Sequence, residues 1–272
     1  MSVFTTTPNE HNLKIHMKKK TKMDRPLDAD YYEKKKLIKV DKLPPQLPNK
    51  SFCWFLIGPP GSGKSTYIES LLTAPTINGK RQSYIGLFDK IIFFTPDIND
   101  FQNEDLSELP DVYNELTLEN LEEAVAMAKE LFDEGKQTLM IFDDVGSDLR
   151  KNKAVERKVA QMIMNHRHMG LSMIYCVQTY RSLSPDMRKC GRFLTIFSCD
   201  NLMERDAIFE DILIRKDNYD PLYRFVFENR DDDNKKDELG RRLKHTLYVD
   251  KSKQRYNHIM YYKGFDEIKL KK

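Results

Sequence analysis

The segment Gly58-Pro59-Pro60-Gly61-Ser62-Gly63-Lys64-Ser65 is a full match to GxxxxGK[ST], and no other feature of the chain constrains its fold as tightly. Its flanks fit. Phe52–Ile57 (FCWFLI) is a short, wholly apolar run that suits a central strand covered on both faces. Ser65–Leu72 reads as a helix ended by Pro75. A strand entering and a helix leaving is the context in which this pattern cradles phosphate. The glycines let the backbone turn several N–H groups inward. The helix N-terminus adds a positive dipole end aimed at the same anion. Gly58, Pro59, Pro60, Gly61, Ser62, Gly63, Lys64, Ser65 and Thr66 are therefore the candidate nucleotide-binding residues. Lys64 reaches the β- and γ-phosphates of ATP, and Ser65 supplies a hydroxyl to Mg²⁺.

Such a loop works with a second strand that ends in acids. Thr138–Phe142 (TLMIF) followed by Asp143-Asp144 supplies it, about eighty residues on. Asp143 is expected to orient Mg²⁺, mostly through water, because that ion dehydrates reluctantly. Asp144 is expected to polarise the attacking water. A further apolar strand, Leu171–Val177 (LSMIYCV), ends in Gln178. Parallel sheets carry ligands at the carboxyl ends of their strands, so the Gln178 amide is placed to sense phosphate or orient water. Phosphoryl transfer also gains from a cation at the developing charge, often from a neighbouring subunit. Arg167, Arg181, Arg188 and Arg192 surround the Leu171–Val177 strand; Arg167 and Arg188 are the leading candidates. His166 and His168 read as helix-end residues.

The remaining elements alternate. Lys90–Thr95 is a strand, Thr117 opens a long helix closed by Gly135, Lys153–Met169 is helical with Gly170 as its stop, Phe193–Ser198 is a strand and Asn201–Ile214 a helix. Alternation of this kind predicts an α/β P-loop NTPase fold with a mainly parallel sheet and helices on both faces. Tyr223–Phe227, Thr246–Val249 and His258–Tyr262 read as short antiparallel strands around the acidic run Asp231-Asp232-Asp233. The chain divides as a basic, partly disordered extension over 1–50, an ATPase core over 51–218 and a β-rich C-terminal extension over 219–272. Residues 1–50 hold twelve Lys/Arg against six Asp/Glu, although the whole chain carries only +3. A basic arm can neutralise nucleic-acid phosphates; it can equally be a solvated tail. No apolar run reaches 18 residues and the N-terminus lacks a signal-peptide pattern. The expectation is a soluble intracellular protein with no membrane partner. Cys53 and Cys176 lie in apolar runs, so they read as reduced and buried.

Taken together, GPPGSGKST, IFFTP at Ile92–Pro96, MIFDDV at Met140–Val145 and NHRHMGLSMIYCVQTYRSLSPDMR at Asn165–Arg188 resemble the poxvirus-type genome-packaging ATPases of large DNA viruses and virophages. These belong to the FtsK/HerA superfamily. The likeness runs from about Phe52 to about Ile214. It implies a RecA-like (ASCE) core with strand order 5-1-4-3-2. It also implies a homo-oligomeric ring, pentamer or hexamer, that drives double-stranded DNA into a capsid. A capsid or portal-site protein would be a further partner, and the setting would be host cytoplasm, viral factory or virion. Carried across, Lys64 and Ser65 are the P-loop ligands, Asp143 and Asp144 the acidic pair, and Gln178 the sensor. Cellular members usually have Asp-Glu where this chain has Asp143-Asp144. Two other readings share the P-loop: a nucleotide or small-molecule kinase, and a nucleotide-gated binding module without activity. The second acid after Asp143 favours hydrolysis over the first, and the intact Lys64–Ser65–Asp143 set argues against the second.

Overall fold

Each central strand is apolar at consecutive positions because helices or further chain cover both of its faces. In the computed structural model, the described residues are 46–73, 84, 87–96, 111–146, 149, 152–213, 215–228 and 245–252, with strand segments at 4–7, 76–77, 80–81, 259–262 and 266–270. In chain order the strands are β1 (Phe4–Thr7), β2 (Cys53–Ile57), β3 (Thr76–Ile77), β4 (Lys80–Arg81), β5 (Lys90–Phe94), β6 (Val112–Tyr113), β7 (Thr138–Phe142), β8 (Leu171–Val177), β9 (Phe193–Phe197), β10 (Thr246–Asp250), β11 (Ile259–Tyr262) and β12 (Asp266–Leu270). The helices are α1 (Lys64–Thr73), α2 (Leu118–Asp133), α3 (Lys153–Asn165), α4 (Pro185–Cys190), α5 (Leu202–Ile212) and α6 (Tyr219–Phe227).

Ten strands form one sheet in the order β1-β12-β11-β10-β9-β2-β8-β7-β5-β6. Its centre, β9-β2-β8-β7-β5, is wholly parallel. Numbered by place in the core, that order is 5-1-4-3-2, as the family resemblance implies. β10, β11, β12 and β1 continue the sheet as antiparallel neighbours beyond β9.

Side chains alternate between two cores. Cys53, Phe55 and Ile57 of β2 face one core with Met140 and Phe142 of β7 and the buried stripes of α2, α3, α5 and α6. Trp54 and Leu56 face the other, with Ile68, Leu71 and Leu72 of α1, Tyr84 and Phe88. In that second core the Trp54 indole N–H donates to Thr195 Oγ1 at 2.9 Å, which satisfies two polar groups without water. Burial pushes the Tyr67 phenol up to about 12, so it stays protonated.

Helix signals in the sequence carry through. Thr117 caps α2 by accepting from the Asn120 N–H, and Asn201 caps α5 by accepting from Met203 and Glu204. Gly170 ends the 3-10 turn after α3 in a left-handed conformation. One expectation fails. Tyr223–Phe227 is not a strand but the end of helix α6. Its aromatic and β-branched residues favour a strand locally. However, Tyr219, Leu222, Tyr223 and Val226 are spaced i, i+3, i+4, i+7 and are all buried, so tertiary packing selects the helix. Within the segment expected to be a partly disordered extension, Phe4–Thr7 pairs with β12 as a sheet strand. Most lysines of the basic arm, and the acidic run Asp231–Asp233, lie outside the described residues.

Gly191, between α4 and β9, lets α4 pack against the centre of the sheet. A Cβ built there would lie 2.1 Å from Phe55 Cε2, and Phe55 is fully buried. Gly191→Ala should therefore destabilise the fold by about 1–3 kcal/mol, the usual scale for overpacking. Gly191→Ala/Phe55→Leu should recover part of that loss in a denaturant titration. Additive losses would show that the two positions do not couple.

Candidate functional site

The site is built where the parallel strands end. β2 delivers the loop 58–63, β7 delivers Asp143 and Asp144, and β8, lying between them, delivers Gln178. The Gly58 N–H donates to the Val177 carbonyl at 3.0 Å, so the loop leaves the sheet tied to the residue before Gln178. Gly61 and Gly63 adopt positive φ (68° and 101°), which turns the loop as the glycine spacing requires. No acid occupies the first turn of α1, so its positive dipole end is left for an anion. Lys64 is 8% exposed, and its ammonium donates to the carbonyls of Gly58 (2.8 Å) and Pro59 (3.0 Å). Thr66 follows on the same helix, partly buried.

Two pairings across the strand ends bring the candidate residues together. The Ser65 hydroxyl donates to Asp143 Oδ2 at 2.6 Å, although the residues are 78 positions apart. Asp143 is 4% exposed, and its N–H donates to the Phe94 carbonyl. A half-buried hydroxyl and a buried carboxylate in contact beside a phosphate loop are hard oxygen donors. They fit Mg²⁺, which is commonly held by one or two protein oxygens together with substrate phosphates. Bound there with ATP, that ion would neutralise charge on the phosphates. The second pairing joins Gln178 Nε2, as donor, to Asp144 Oδ1. Both are exposed. Asp144 has φ +51°, a left-handed conformation that Asp and Asn tolerate better than most residues. This bend turns its carboxylate out of the sheet toward Gln178.

In the sequence Cys176 reads only as a buried thiol. It adjoins the site: burial first, then the negative charge of Asp143, which accepts a hydrogen bond from it, push its pKa well up. Cys176 is thus a neutral donor to the carboxylate, not a nucleophile. Its place one residue before the strand end, pointing to the face opposite Tyr175, was the available signal.

The arginines separate. Arg188 of α4 is engaged within its own subunit: it donates to Asp211 at 3.4 Å and lies 5.4 Å from the centre of the Tyr180 ring. The Tyr180 hydroxyl donates to the same carboxylate at 2.7 Å. Arg192 pairs with Asp250. Arg181, three residues past Gln178, is anchored by its N–H to Glu204, and its guanidinium touches Met203 Sδ. Arg167 precedes β8, so it stands at the end of the sheet opposite to Gln178, about 23 Å away along a seven-residue strand. Its side chain is exposed and makes no ion pair among the described residues. The structure therefore brings together Lys64, Ser65, Asp143, Asp144 and Gln178, and brings neither Arg167 nor Arg188 to them within one chain. His166 is buried beneath this turn, where desolvation holds its pKa below the usual range.

A family model described as Poxvirus A32 protein matches residues 43–219, well over half of the chain, including Lys64, Ser65, Asp143, Asp144, Gln178 and the four arginines. Among solved structures, the genome packaging NTPase B204 from Sulfolobus turreted icosahedral virus 2, in complex with AMPPCP, is 17% identical with a TM-score of 0.45, covering 77% of this chain and 96% of that one. B204 from Sulfolobus turreted icosahedral virus, described as a DNA-packaging ATPase, is 14% identical with a TM-score of 0.47, covering 79% and 98%. The pCW3 conjugation coupling protein TcpA, in monomer form with ATPγS, is 12% identical with a TM-score of 0.48, covering 80% and 62%. No curated protein matches the chain significantly.

Proposed function

The chain belongs to the poxvirus A32 protein family, and we propose on that premise that it is an ATP-hydrolysing motor that packages viral double-stranded DNA into a capsid. The observation that carries the reading is the pair of contacts Ser65–Asp143 and Gln178–Asp144 at one edge of the sheet, beside the loop that carries Lys64. One contact supplies oxygen donors for Mg²⁺. The other orients a carboxylate that can take a proton from water. Gln178 holds Asp144, and the Val177 carbonyl just before it is bonded to the N–H of Gly58 in the phosphate loop, a link that could couple its position to the nucleotide. Among the described residues Lys64 is the cation set in the phosphate loop, and Arg167 of a second copy would add one for the charge that develops in hydrolysis. The working form is then a homo-oligomer, and a ring of five or six copies around DNA satisfies it. Among the described residues no helix is long and apolar enough to cross a membrane.

The test is ATP hydrolysis with and without double-stranded DNA, with Lys64→Ala as the inactive control. DNA is expected to raise turnover several-fold, and Lys64→Ala is expected to abolish it in both conditions. Turnover indifferent to DNA would remove the translocating part of the reading. ATP consumption only in the presence of a small phosphoryl acceptor would make the protein a kinase.

A further inference from the structure

Gln178 is exposed, and among the described residues its amide makes one side-chain hydrogen bond, to Asp144. An exposed amide so lightly held is placed by the backbone that carries it. That backbone is fixed on both sides. Before Gln178, the Val177 carbonyl accepts from Gly58. After it, the turn Tyr180–Ser182 closes on itself, because the Ser182 N–H and hydroxyl both donate to the Thr179 carbonyl, at 3.0 and 2.6 Å. The turn is then fastened to α5 at two points. The Tyr180 hydroxyl donates to Asp211 at 2.7 Å, and the Arg181 N–H donates to Glu204 at 3.2 Å. Glu204 and Asp211 stand at i and i+7, on one face of the helix.

Tyr180 carries the stronger fastening. Its ring is fully buried, so its hydroxyl needs a partner inside the protein. Asp211 Oδ2 also accepts from Arg188, but at 3.4 Å and through one nitrogen, and the buried Arg188 Nε–H makes no hydrogen bond among the described residues. An arginine set there for pairing alone would use both prongs of its fork. Arg188 instead lies over the Tyr180 ring, 5.4 Å from its centre, and backs it against Asp211.

α5 is itself set against the phosphate loop. β9, which precedes it, ends at Phe197, and a Cβ built at Gly58 would lie 2.7 Å from Phe197 Cβ, so the strand end and the loop are in close contact. The Tyr223 hydroxyl donates to the Cys199 carbonyl at 3.1 Å and lies 3.0 Å from Ser198 Oγ, and Asn201 then caps α5.

We propose that Tyr180 and Asp211 are positioning residues for Gln178, fixing its amide against Asp144 through the turn that follows β8. The phosphate loop then reaches Gln178 by two routes, directly through Gly58 and Val177, and indirectly through β9, α5 and Tyr180. The proposal rests on the hydrolytic reading of the site, and deepens it by naming residues that lie outside the nucleotide contacts.

The test uses the full chain. Tyr180→Phe keeps the buried ring and removes only the hydroxyl. Single-turnover hydrolysis at saturating Mg·ATP is expected to slow about tenfold, the scale of one buried hydrogen bond lost, while the Kd for AMPPCP stays within about twofold of the parent value. In a Gln178→Ala background the same change should cost almost nothing further, because the amide it places is gone. Asp211→Asn keeps an oxygen for the hydroxyl, and should hydrolyse ATP faster than Asp211→Ala, which removes it. Three results overturn the proposal: Tyr180→Phe hydrolysing at the parent rate, Tyr180→Phe slowing Gln178→Ala as much as it slows the parent, or AMPPCP binding falling in step with the rate, which marks a general loss of structure. If Tyr180→Phe does not fold, the Asp211 pair decides, and equal rates for Asp211→Asn and Asp211→Ala overturn it. A parent chain that binds AMPPCP without hydrolysing ATP sinks the hydrolytic reading itself, and the proposal with it.

Discussion

Replacing Arg167 by alanine is expected to lower ATP turnover about 10³-fold, the scale on which phosphoryl transfer depends on a delivered arginine, while the P-loop still binds ATP. The size of the effect follows from position and charge together. In the proposed site Lys64 would stay with the β- and γ-phosphates, but the bond being broken places further charge on the transferred group. A guanidinium is always ionised and meets two oxygens at once, so its loss is not replaced by water. Arg167 cannot reach the P-loop of its own chain, because β8 separates them end to end. The variant should therefore be complemented in trans. A chain carrying Asp144→Asn keeps Arg167, and a chain carrying Arg167→Ala keeps Asp144. Each alone should be inactive, and their mixture should regain part of the parent rate. Arg188→Ala should behave otherwise. Its guanidinium is bound to Asp211 and stacked on Tyr180, so its loss should lower stability, and mixing should not repair it. If Arg167→Ala turned over ATP at the parent rate, or if Arg188→Ala were the one complemented, the proposed finger would be the wrong residue.

Much of this site is legible in the sequence because each part is local. Five strand–loop junctions announce themselves by apolar runs, and three of these end in Gly58, Asp143-Asp144 or Gln178. Parallel alternation then forces those ends to one edge. What is not local is harder to read. The aromatic stretch Tyr223–Phe227 looks like a strand until its burial partners are known. β6 and β12 are too short or too polar to signal pairing, since Val112–Tyr113 and Asp266–Leu270 owe their strand form to neighbours. The arginines illustrate the same limit. Arg167 before β8 and Arg188 after it rank alike as candidates in the sequence, and only the contacts with Asp211 and Tyr180 distinguish a bound arginine from an exposed one. The unusual Asp-Asp pair becomes intelligible only with the backbone in view. Glutamate at 144 would have to adopt the φ of +51° that aspartate tolerates more readily.

That backbone makes Asp144→Asn a clean experiment. Asparagine also accepts a left-handed conformation, and its carbonyl oxygen can still accept from Gln178, so the variant keeps the turn and the contact and loses only the charge. Turnover should fall about a hundredfold or more, the usual range for removing a general base. ATP binding should be nearly normal, because Asp144 pairs with Gln178 while the Ser65 hydroxyl pairs with Asp143. Asp143→Asn should differ in kind. Asp143 is buried against the Ser65 hydroxyl, and removing its charge weakens the donor set for Mg²⁺, so the requirement for the ion should rise and excess Mg²⁺ should recover part of the rate. Magnesium titrations of both variants under single-turnover conditions separate the two roles. A third variant, Asp144→Glu, restores the charge on a side chain one methylene longer and should regain only part of the activity, with some loss of stability from the strained turn. Gln178→Ala should fall between, since it frees the Asp144 carboxylate without removing it. The roles are exchanged if Asp143→Asn stalls hydrolysis at every Mg²⁺ concentration while Asp144→Asn responds to the ion. The base is some other group if Asp144→Asn hydrolyses ATP within a few-fold of the parent.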